Sequence, residues 1–438
     1  MGLCRKAIVA APAFCANHGR VMMDPIANRN RIAALLDERQ PGHSLPQAFY
    51  TDPDIFAFDL EAIYARSWLI AGFEVELPKH NSTLSLMIGN WPVLITRDRS
   101  GTLRAFHNSC RHRGAQLCAP GRGSGIRVTC PYHRWVYELS GGLVHAARMP
   151  DDFDKSAHGL KPIHLEAMAG VIYICMAETP PDFAPFRTAF EPLLAPHDLR
   201  NAKVAFESVL VDRANWKLVM ENGRECYHCP GSHPELSKSF PVEASKHFDY
   251  GDDAHRVAAF NARLADAGLG VGPVEGPWWQ AARFPLNEGN ISMTMDGRHA
   301  SAKLMCAAAD GDIGSLRWAL EPHSFCHATA DFTFMFSALP IGPQETHVVA
   351  KWLVHKDAVE GVDYTIDGLS ELLTRTNLQD RELAENNQRG INARGYTPGP
   401  YSPDAEALVL RFVDWYCTTA RAYLAEGETA VRKFAHVG

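Results

Sequence analysis

The spacing of hydrophobic and polar residues predicts helices near the start of the chain and short strands after them. Asp24-Pro25 and Asp52-Pro53 each resemble an N-cap followed by proline at the first helical position, and apolar residues at helical spacing follow both pairs. From residue 84 the apolar period changes to two, and short strands punctuated by Gly, Pro and Asn continue to about residue 174. The first 180 residues are therefore predicted to be helical and then all-β.

Pro180-Pro181 marks a boundary, and the pattern beyond it is mixed. Strands are predicted over 204–211, 317–320, 331–337 and 346–354, and helices over 215–227, 366–389 and 403–425. In the last helix Leu408, Phe412, Trp415 and Tyr416 form one apolar face. The predicted fold class is α+β, with an all-β domain at 68–178 inserted in a larger domain that contains a sheet flanked by helices.

The amino-acid composition excludes several classes of protein but does not by itself indicate a function. The chain has 438 residues, of which 46% are hydrophobic and 21% charged, and 43 basic against 50 acidic residues give a net charge of −7. These values indicate a globular protein with no net electrostatic attraction to nucleic acid or to an anionic membrane. No apolar run approaches the ~20 residues of a membrane span, and we expect a cytoplasmic location. We interpret residues 1–22 as an N-terminal extension, unstructured or preceding the true start at Met22 or Met23.

The first candidate metal site pairs two short motifs of the same kind. Cys110-x-His112 is followed by Cys130-x-x-His133, so each motif offers one thiolate and one imidazole. A structural zinc with two cysteines and two histidines fits this donor set. A Rieske [2Fe–2S] cluster, in which one iron takes two cysteines and the other two histidines, fits it as well. The intervening glycines at 121–125 are expected to bring backbone amides close to such a centre.

The second candidate metal site is a pair of histidines in the catalytic half of the chain. His228 and His233 are five residues apart, and Pro230-Gly231 between them is expected to break the helix so that both imidazoles converge. Asp380 in the predicted helix 366–389 is the best candidate for a carboxylate that completes a face of two histidines and one carboxylate. Such a face leaves positions open on a non-haem Fe(II) for O2.

Taken in order, these motifs resemble the catalytic α subunit of the Rieske non-haem iron oxygenases. The similarity extends over nearly the whole chain from about residue 39. It is closest to the branch that acts on quaternary ammonium compounds, which includes glycine betaine monooxygenase and stachydrine (proline betaine) demethylase. The segments that carry this closer similarity are Phe106-His107-Asn108-Ser109, Glu225-Cys226-Tyr227-His228-Cys229 and 351–361.

The resemblance implies a role for each matched residue. It implies that Cys110, His112, Cys130 and His133 hold the cluster, and that His228, His233 and Asp380 hold the mononuclear iron. Glu225 matches a bridging carboxylate that contacts a mononuclear-iron histidine and a cluster histidine of the neighbouring subunit in a trimer. The implied domains are helices at 23–67 that pack on the catalytic domain, a Rieske domain at 68–178 and the catalytic domain at 179–438.

The implied activity is oxidative N-demethylation of a betaine, with release of formaldehyde and with O2 as co-substrate. The chain has no G-x-G-x-x-G fingerprint, so the resemblance implies a separate NAD(P)H-oxidising reductase with flavin and an iron–sulfur centre. A quaternary ammonium group is best held over aromatic faces. The aromatic residues considered for that role are Trp278, Trp279, Phe284, Phe260 and Phe240. Two alternatives stay open: an aromatic-ring dioxygenase α subunit, and a non-catalytic electron carrier or zinc-stabilised binding protein.

Overall fold

The computed structural model describes residues 25–241 and 253–435, and the prediction for residues 1–22 lies outside them. The chain begins with three helices, α1 (Pro25–Asp37), α2 (Ala48–Thr51) and α3 (Pro53–Asp59), and α3 continues into a π-helical turn, Leu60–Tyr64. The Asp52 carboxylate accepts a hydrogen bond from the Asp54 amide at 2.8 Å. This contact confirms the predicted N-cap, because the side chain satisfies an amide that has no partner within the helix.

Ten strands follow and form two antiparallel sheets. They are β1 (Leu69–Phe73), β2 (Ser82–Ile88), β3 (Trp91–Arg97), β4 (Leu103–His107), β5 (Gly121–Ser124), β6 (Arg127–Thr129), β7 (Val136–Glu138), β8 (Leu143–His145), β9 (Pro162–Met168) and β10 (Val171–Cys175). The larger sheet has the order β1-β10-β9-β4-β3-β2-β5, and the smaller has the order β6-β7-β8. The chain thus enters and leaves the larger sheet on two paired strands, β1 and β10.

The glycine segment at 121–125, whose amides the sequence predicts near the first metal site, lies mostly in a strand. Residues 121–124 are strand β5, which pairs with β2 at the edge of the larger sheet and is exposed along its length. Its amides are therefore placed by a ladder of backbone hydrogen bonds. Glycine suits this edge because a Cβ atom at Gly123 would lie 2.8 Å from the Thr83 hydroxyl of the paired strand.

The second half of the chain contains seven more strands in one antiparallel sheet. They are β11 (Ala202–Asp212), β12 (Val274–Gly276), β13 (Trp279–Phe284), β14 (Ser315–Leu320), β15 (Ser324–Ala328), β16 (Phe332–Gly342) and β17 (Glu345–His355). Their order is β11-β17-β16-β15-β14-β13-β12. Its helices are α4 (Ala184–Leu194), α5 (Trp216–Asn222), α6 (Cys229–Ser232), α7 (Leu236–Ser239), α8 (Ala254–Asp266), α9 (Ile366–Ile391) and α10 (Ala407–Ala435).

Helices α5, α9 and α10 pack on one face of this second sheet around the largest hydrophobic core. As the apolar pattern predicts, Leu408, Phe412 and Tyr416 of α10 are almost completely buried. An ion pair between Lys217 and Asp59 lies inside this core, with both side chains fully buried. Asp59 also accepts hydrogen bonds from Trp216 Nε1 at 3.1 Å and from the Tyr416 hydroxyl at 2.6 Å.

The α+β prediction is confirmed, and the differences from the predicted elements are local. The predicted helix at 215–227 ends at Asn222. The Glu225 carboxylate accepts hydrogen bonds from the amides of Tyr227 and His228, so these amides do not continue the helical ladder. Within the described ranges, no helix combines the length and the apolar character needed to cross a membrane.

Candidate metal centres

Two turns of the same design carry the Cys/His motifs. In each turn, the cysteine carbonyl accepts a hydrogen bond from the amide four residues later, and the cysteine amide donates to the carbonyl five residues later. The first turn begins at Cys110 and the second at Cys130. The residue four positions after each cysteine has a positive φ, 75° at Gly114 and 59° at Arg134. Glycine adopts this conformation without steric cost, whereas Arg134 is held in it by the turn.

The two turns place sulfur inside and imidazole outside. Cys110 and Cys130 are 4% and 1% exposed, whereas His112 is exposed and His133 half-buried. The imidazole rings of His112 and His133 lie 4.7 Å apart between centroids. His133 Nδ1 is buried and has no hydrogen-bond partner within the described residues. These residues fit a Rieske cluster, because that cluster needs an inner pair of sulfur donors, an outer pair of imidazoles, and ring nitrogens that are free to bind iron.

Residues around the first centre orient its donors. The indole of Trp135 stacks on the His112 ring, with centroids 4.8 Å apart and planes at 8°. The Tyr137 hydroxyl lies 3.2 Å from Cys110 Sγ and accepts a hydrogen bond from the Arg111 amide at 3.0 Å. Burial raises the pKa of the Cys110 thiol, since the thiolate form loses its hydration there. A bound metal cation is what stabilises a thiolate in such a place.

The second centre is built on a single turn of helix. Contrary to the sequence-based expectation, Pro230-Gly231 does not break a helix between His228 and His233. These residues lie inside the four-residue helix α6, for which His228 is the N-cap and His233 the C-cap. Proline is tolerated there because the first turn of a helix needs no amide from it. The two imidazoles reach the same point because they leave from opposite ends of one turn.

Three donor atoms from His228, His233 and Asp380 converge at this point. The Nε2 atoms of His228 and His233 are 3.0 Å apart, and Asp380 Oδ1 lies 3.3 Å from the first and 2.9 Å from the second. Cys229 also offers its sulfur within 4.8 Å of both histidines, but it is joined to Cys226 in a disulfide. Asp380 is the closer third donor, and it comes from the middle of α9.

The other nitrogen of each histidine is held by a fixed partner. His228 Nδ1 contacts Glu225 Oε1 at 2.5 Å, and His233 Nδ1 contacts Gln379 Oε1 at 2.8 Å. Both acceptors therefore orient their imidazole with Nδ1–H as donor, which leaves Nε2 as the lone-pair nitrogen that faces Asp380. Two nitrogen atoms and one carboxylate oxygen on one side fit a non-haem Fe(II) site with open positions.

The charges at this point favour a cation. Burial alone would lower the pKa of His228, but the hydrogen bonds to Asp380 and Glu225 outweigh it and raise that pKa to about 9. Burial alone would raise the pKa of Asp380, but the hydrogen bonds from His228 and His233 lower it. A divalent metal would take the place of the shared proton, because both imidazoles must be neutral to bind it.

A cavity opens beside the converging donors and has aromatic walls. Its lining encloses about 640 Å³, part of it open to solvent. The apolar and aromatic residues that line it are Leu236, Phe240, Met293, Phe325, Phe334 and Leu373. Its polar lining includes Arg317, His327, Thr376 and Asn377.

Of the five aromatic residues that the sequence suggested for a cation site, only Phe240 lines this cavity. Trp278 and Trp279 pack against Phe186 in a second hydrophobic core, and Phe260 belongs to a third cluster. Sequence reasoning missed Phe325 and Phe334, which occupy paired strands β15 and β16. An available signal was the apolar alternation in 331–337, which puts Phe334 and Phe336 on one face.

Two family models match the chain. Residues 67–158 match the Rieske [2Fe-2S] domain, and residues 199–422 match the ring hydroxylating alpha subunit (catalytic domain). The two candidate metal centres lie in these two matched ranges, Cys110 to His133 in the first and His228 to Asp380 in the second.

Curated relatives and solved structures are similar over most of the chain. The chain is 44% identical to the glycine betaine monooxygenase oxygenase subunit of Chromohalobacter salexigens, over 90% of each chain. It is also 44% identical to that of Pseudomonas aeruginosa PAO1, over 93% of this chain and 96% of the relative. A crystal structure of the quaternary ammonium Rieske monooxygenase CntA with L-carnitine superposes with a TM-score of 0.65 at 21% identity, over 88% of this chain and 98% of that one. This last likeness supports the fold.

Proposed function

This chain belongs to the Rieske non-haem iron oxygenase α subunits, and we propose that it oxidatively N-demethylates a betaine, with glycine betaine the first candidate and proline betaine (stachydrine) the second. The family match gives it a Rieske [2Fe–2S] cluster and a mononuclear non-haem iron as cofactors. The observation that carries the proposal is the convergence of three metal-binding donors on a cavity with aromatic walls. The names of the relatives support the substrate class.

We propose that Cys110, His112, Cys130 and His133 hold the cluster, and that His228, His233 and Asp380 hold the mononuclear iron. When bound, the two centres supply stored electrons and activation of O2. The chain contributes the orientation of the donors: Glu225 and Gln379 fix the two imidazoles, and α9 presents the carboxylate. The domain division at 23–67, 68–178 and 179–438 is part of the same proposal.

Glu225 is proposed as the residue that links the two kinds of centre. Its carboxylate contacts His228 Nδ1 and accepts hydrogen bonds from the amides of Tyr227 and His228. These contacts within one chain fix its position. Tyr227 beside it is 68% exposed, so this segment lies at the surface of the single chain. In the proposed homotrimer, Glu225 would contact a cluster histidine of the neighbouring subunit. Electrons would then pass between subunits through a short hydrogen-bonded link.

The proposed reaction inserts one oxygen atom of O2 into a C–H bond of an N-methyl group. The other oxygen atom leaves as water, with two electrons and two protons supplied from outside. The product carbinolamine breaks its C–N bond and releases formaldehyde and the demethylated amine. A separate NAD(P)H-dependent reductase with flavin and an iron–sulfur centre would deliver the electrons.

The cavity suits a quaternary ammonium group for physical reasons. Such a cation cannot lose its charge and donates no N–H hydrogen bond, so aromatic faces and nearby carboxylates are its natural partners. Phe240, Phe325 and Phe334 supply the aromatic faces. An N-methyl group over these faces would lie beside the proposed iron site.

A single-turnover experiment tests the proposed function. Iron-loaded protein is reduced without oxygen, mixed with glycine betaine, proline betaine, carnitine, choline or benzoate, and then exposed to O2. Formaldehyde is expected with a betaine, and its yield ranks the substrates. If the cluster is oxidised but no quaternary amine yields formaldehyde, the proposal is wrong. A hydroxylated benzoate product would then favour an aromatic-ring dioxygenase.

A further inference from the structure

Arg317 lies at the centre of the sheet face that forms one wall of the cavity. On β14 it is directly opposite His327 of β15, and His327 is directly opposite Phe334 of β16. Residues that are directly opposite on antiparallel strands point to the same face of the sheet. The guanidinium carbon of Arg317 lies 5.7 Å from the ring centroid of Phe325, its diagonal neighbour. The cationic group is therefore adjacent to the aromatic part of the wall.

Arg317 has no anionic partner in the part of the chain that the structure describes. It donates one hydrogen bond, from Nη2 to the Gly223 carbonyl at 3.0 Å, and its guanidinium group stacks on Phe325. The buried acid that directly follows β14, Glu321, is paired with Arg224 and forms no ion pair with Arg317.

The charge of Arg317 persists at neutral pH. Burial and the nearby Arg224 lower its pKa, but only to about 10. Arg317 is half-buried, and a cation partly withdrawn from water without a counter-ion is costly. The cost is recovered if an anion enters the cavity.

A second unpartnered donor faces the same cavity. Asn377 of α9 is 6% exposed, and its Nδ2 has no hydrogen-bond partner among the described residues. It lines the cavity together with Arg317. Buried amide donors almost always have an acceptor, so its lack of one also indicates a missing ligand with acceptor atoms.

The one basic side chain of the cavity wall lies beside its aromatic faces. Arg317 is on the sheet and is the only lysine or arginine among the described lining residues. Phe325 and Phe334 belong to the same sheet wall as Arg317. A zwitterion with a quaternary nitrogen and a carboxylate one carbon apart complements this arrangement.

We infer that Arg317 binds the carboxylate of the betaine and so makes the cavity select zwitterions over plain quaternary ammonium cations. This inference rests on the proposed function and adds the residue that determines specificity within the substrate class. A guanidinium group presents two parallel N–H donors that match a carboxylate, which fixes the direction of the substrate as well as its charge. The N-methyl groups are then directed away from Arg317, toward His228, His233 and Asp380.

A structural role for Arg317 makes a different prediction. Its hydrogen bond to Gly223 holds the end of α5, close to Glu225, so in a purely structural role its removal would only loosen the site. Loosening would weaken every ligand to a similar extent. Loss of a carboxylate partner would instead weaken only ligands that carry a carboxylate.

The test compares Arg317→Gln and Arg317→Lys with the wild type, using iron-loaded protein with an oxidised cluster. Calorimetry measures the binding of glycine betaine and proline betaine against choline and tetramethylammonium. In Arg317→Gln the two betaines are expected to bind about 10- to 100-fold more weakly, whereas the affinity for choline changes by less than about threefold. Arg317→Lys, which keeps the charge but loses the two-point contact, should lie between them.

Arg283→Gln is a matched control. Arg283 is a buried arginine of the same sheet, but it lies on β13 with its side chain on the opposite face, where it donates hydrogen bonds to the carbonyls of Leu193 and Ile313. Its replacement should leave the ratio of betaine to choline affinity unchanged. An equal loss for both ligand classes in Arg317→Gln, or no loss, overturns the inference while leaving N-demethylation standing. A wild type that binds no quaternary amine and releases no formaldehyde would overturn the proposed function itself.

Discussion

Glu221 allows a sharp prediction about how stability depends on pH. This glutamate on α5 is 8% exposed, and its two carboxylate oxygens accept hydrogen bonds from the hydroxyls of Tyr50 and Tyr401, each at 2.9 Å. Burial raises its pKa from 4.5 to about 7, against the opposing effect of these two hydrogen bonds. In Glu221→Gln the same position carries a neutral side chain of the same shape at every pH.

The direction of the pH dependence follows from whether the folded protein or the unfolded chain holds a proton on Glu221. Between pH 4.5 and 7 the folded protein keeps a proton on Glu221 that the unfolded chain has lost, so stability falls as the pH rises through this window. The shift of about 2.5 pH units corresponds to about 3 kcal/mol, which is fully lost above pH 7. Glu221→Gln avoids this loss. Its stability relative to the wild type should therefore rise by up to about 3 kcal/mol from pH 4.5 to pH 8.

Urea unfolding of both proteins at pH 5 and pH 8, followed by far-ultraviolet circular dichroism, measures this difference. The expected result is a clear gain in urea midpoint for Glu221→Gln at pH 8 and a smaller one at pH 5. Glu38→Gln, at an exposed glutamate, serves as the control for loss of one solvated charge. If the offset between Glu221→Gln and the wild type is the same at both pH values, the reasoning about the buried carboxylate is refuted.

Three further predictions concern the metal centres and the core. Asp380→Ala should lower the iron content from about three to about two per chain while the visible Rieske spectrum stays, and retention of all the iron would show that another carboxylate is the ligand. Glu225→Gln should keep both centres filled but slow substrate-dependent cluster oxidation in stopped flow; loss of the mononuclear iron would instead make Glu225 a ligand. Lys217→Met should cost about 3–5 kcal/mol in urea unfolding, because Asp59 stays buried without its cation, and a loss below about 1 kcal/mol would contradict this.

The parts of the site that are close together in sequence could be predicted from sequence. Cys110 and His112 lie on one turn and Cys130 and His133 on another, and short-range spacing is enough to suggest that each pair acts together. The short spacing of His228 and His233 likewise suggests that they act together. A one-turn helix between them, and not a break in a helix, brings their imidazoles to the same point. Asp380 was a longer inference, which rested on the resemblance and on its place in a predicted helix.

The cavity wall could not be predicted in the same way. Whether Arg317, Phe325 and Phe334 share a face depends on the register of three strands, and a shift by one residue would turn each side chain to the other face. The strand that carries Phe325 was not predicted at all. Trp278 and Trp279 looked equally suitable by type, but they are used in a hydrophobic core, because large aromatic side chains serve packing and binding alike.

The pairing of β1 with β10 affects how this protein can be recombined. Because the chain enters and leaves the first sheet on adjacent strands, a chimera that replaced residues 69–175 would have its two splice points side by side. Every residue of both strands is buried, and Ile70, Phe73 and Tyr173 share a hydrophobic core with Phe186 of α4. A replacement segment from another protein must therefore keep apolar side chains at the positions of β1 and β10 that pack against α4. We therefore expect the fit of these apolar side chains against α4 to decide whether such a chimera folds.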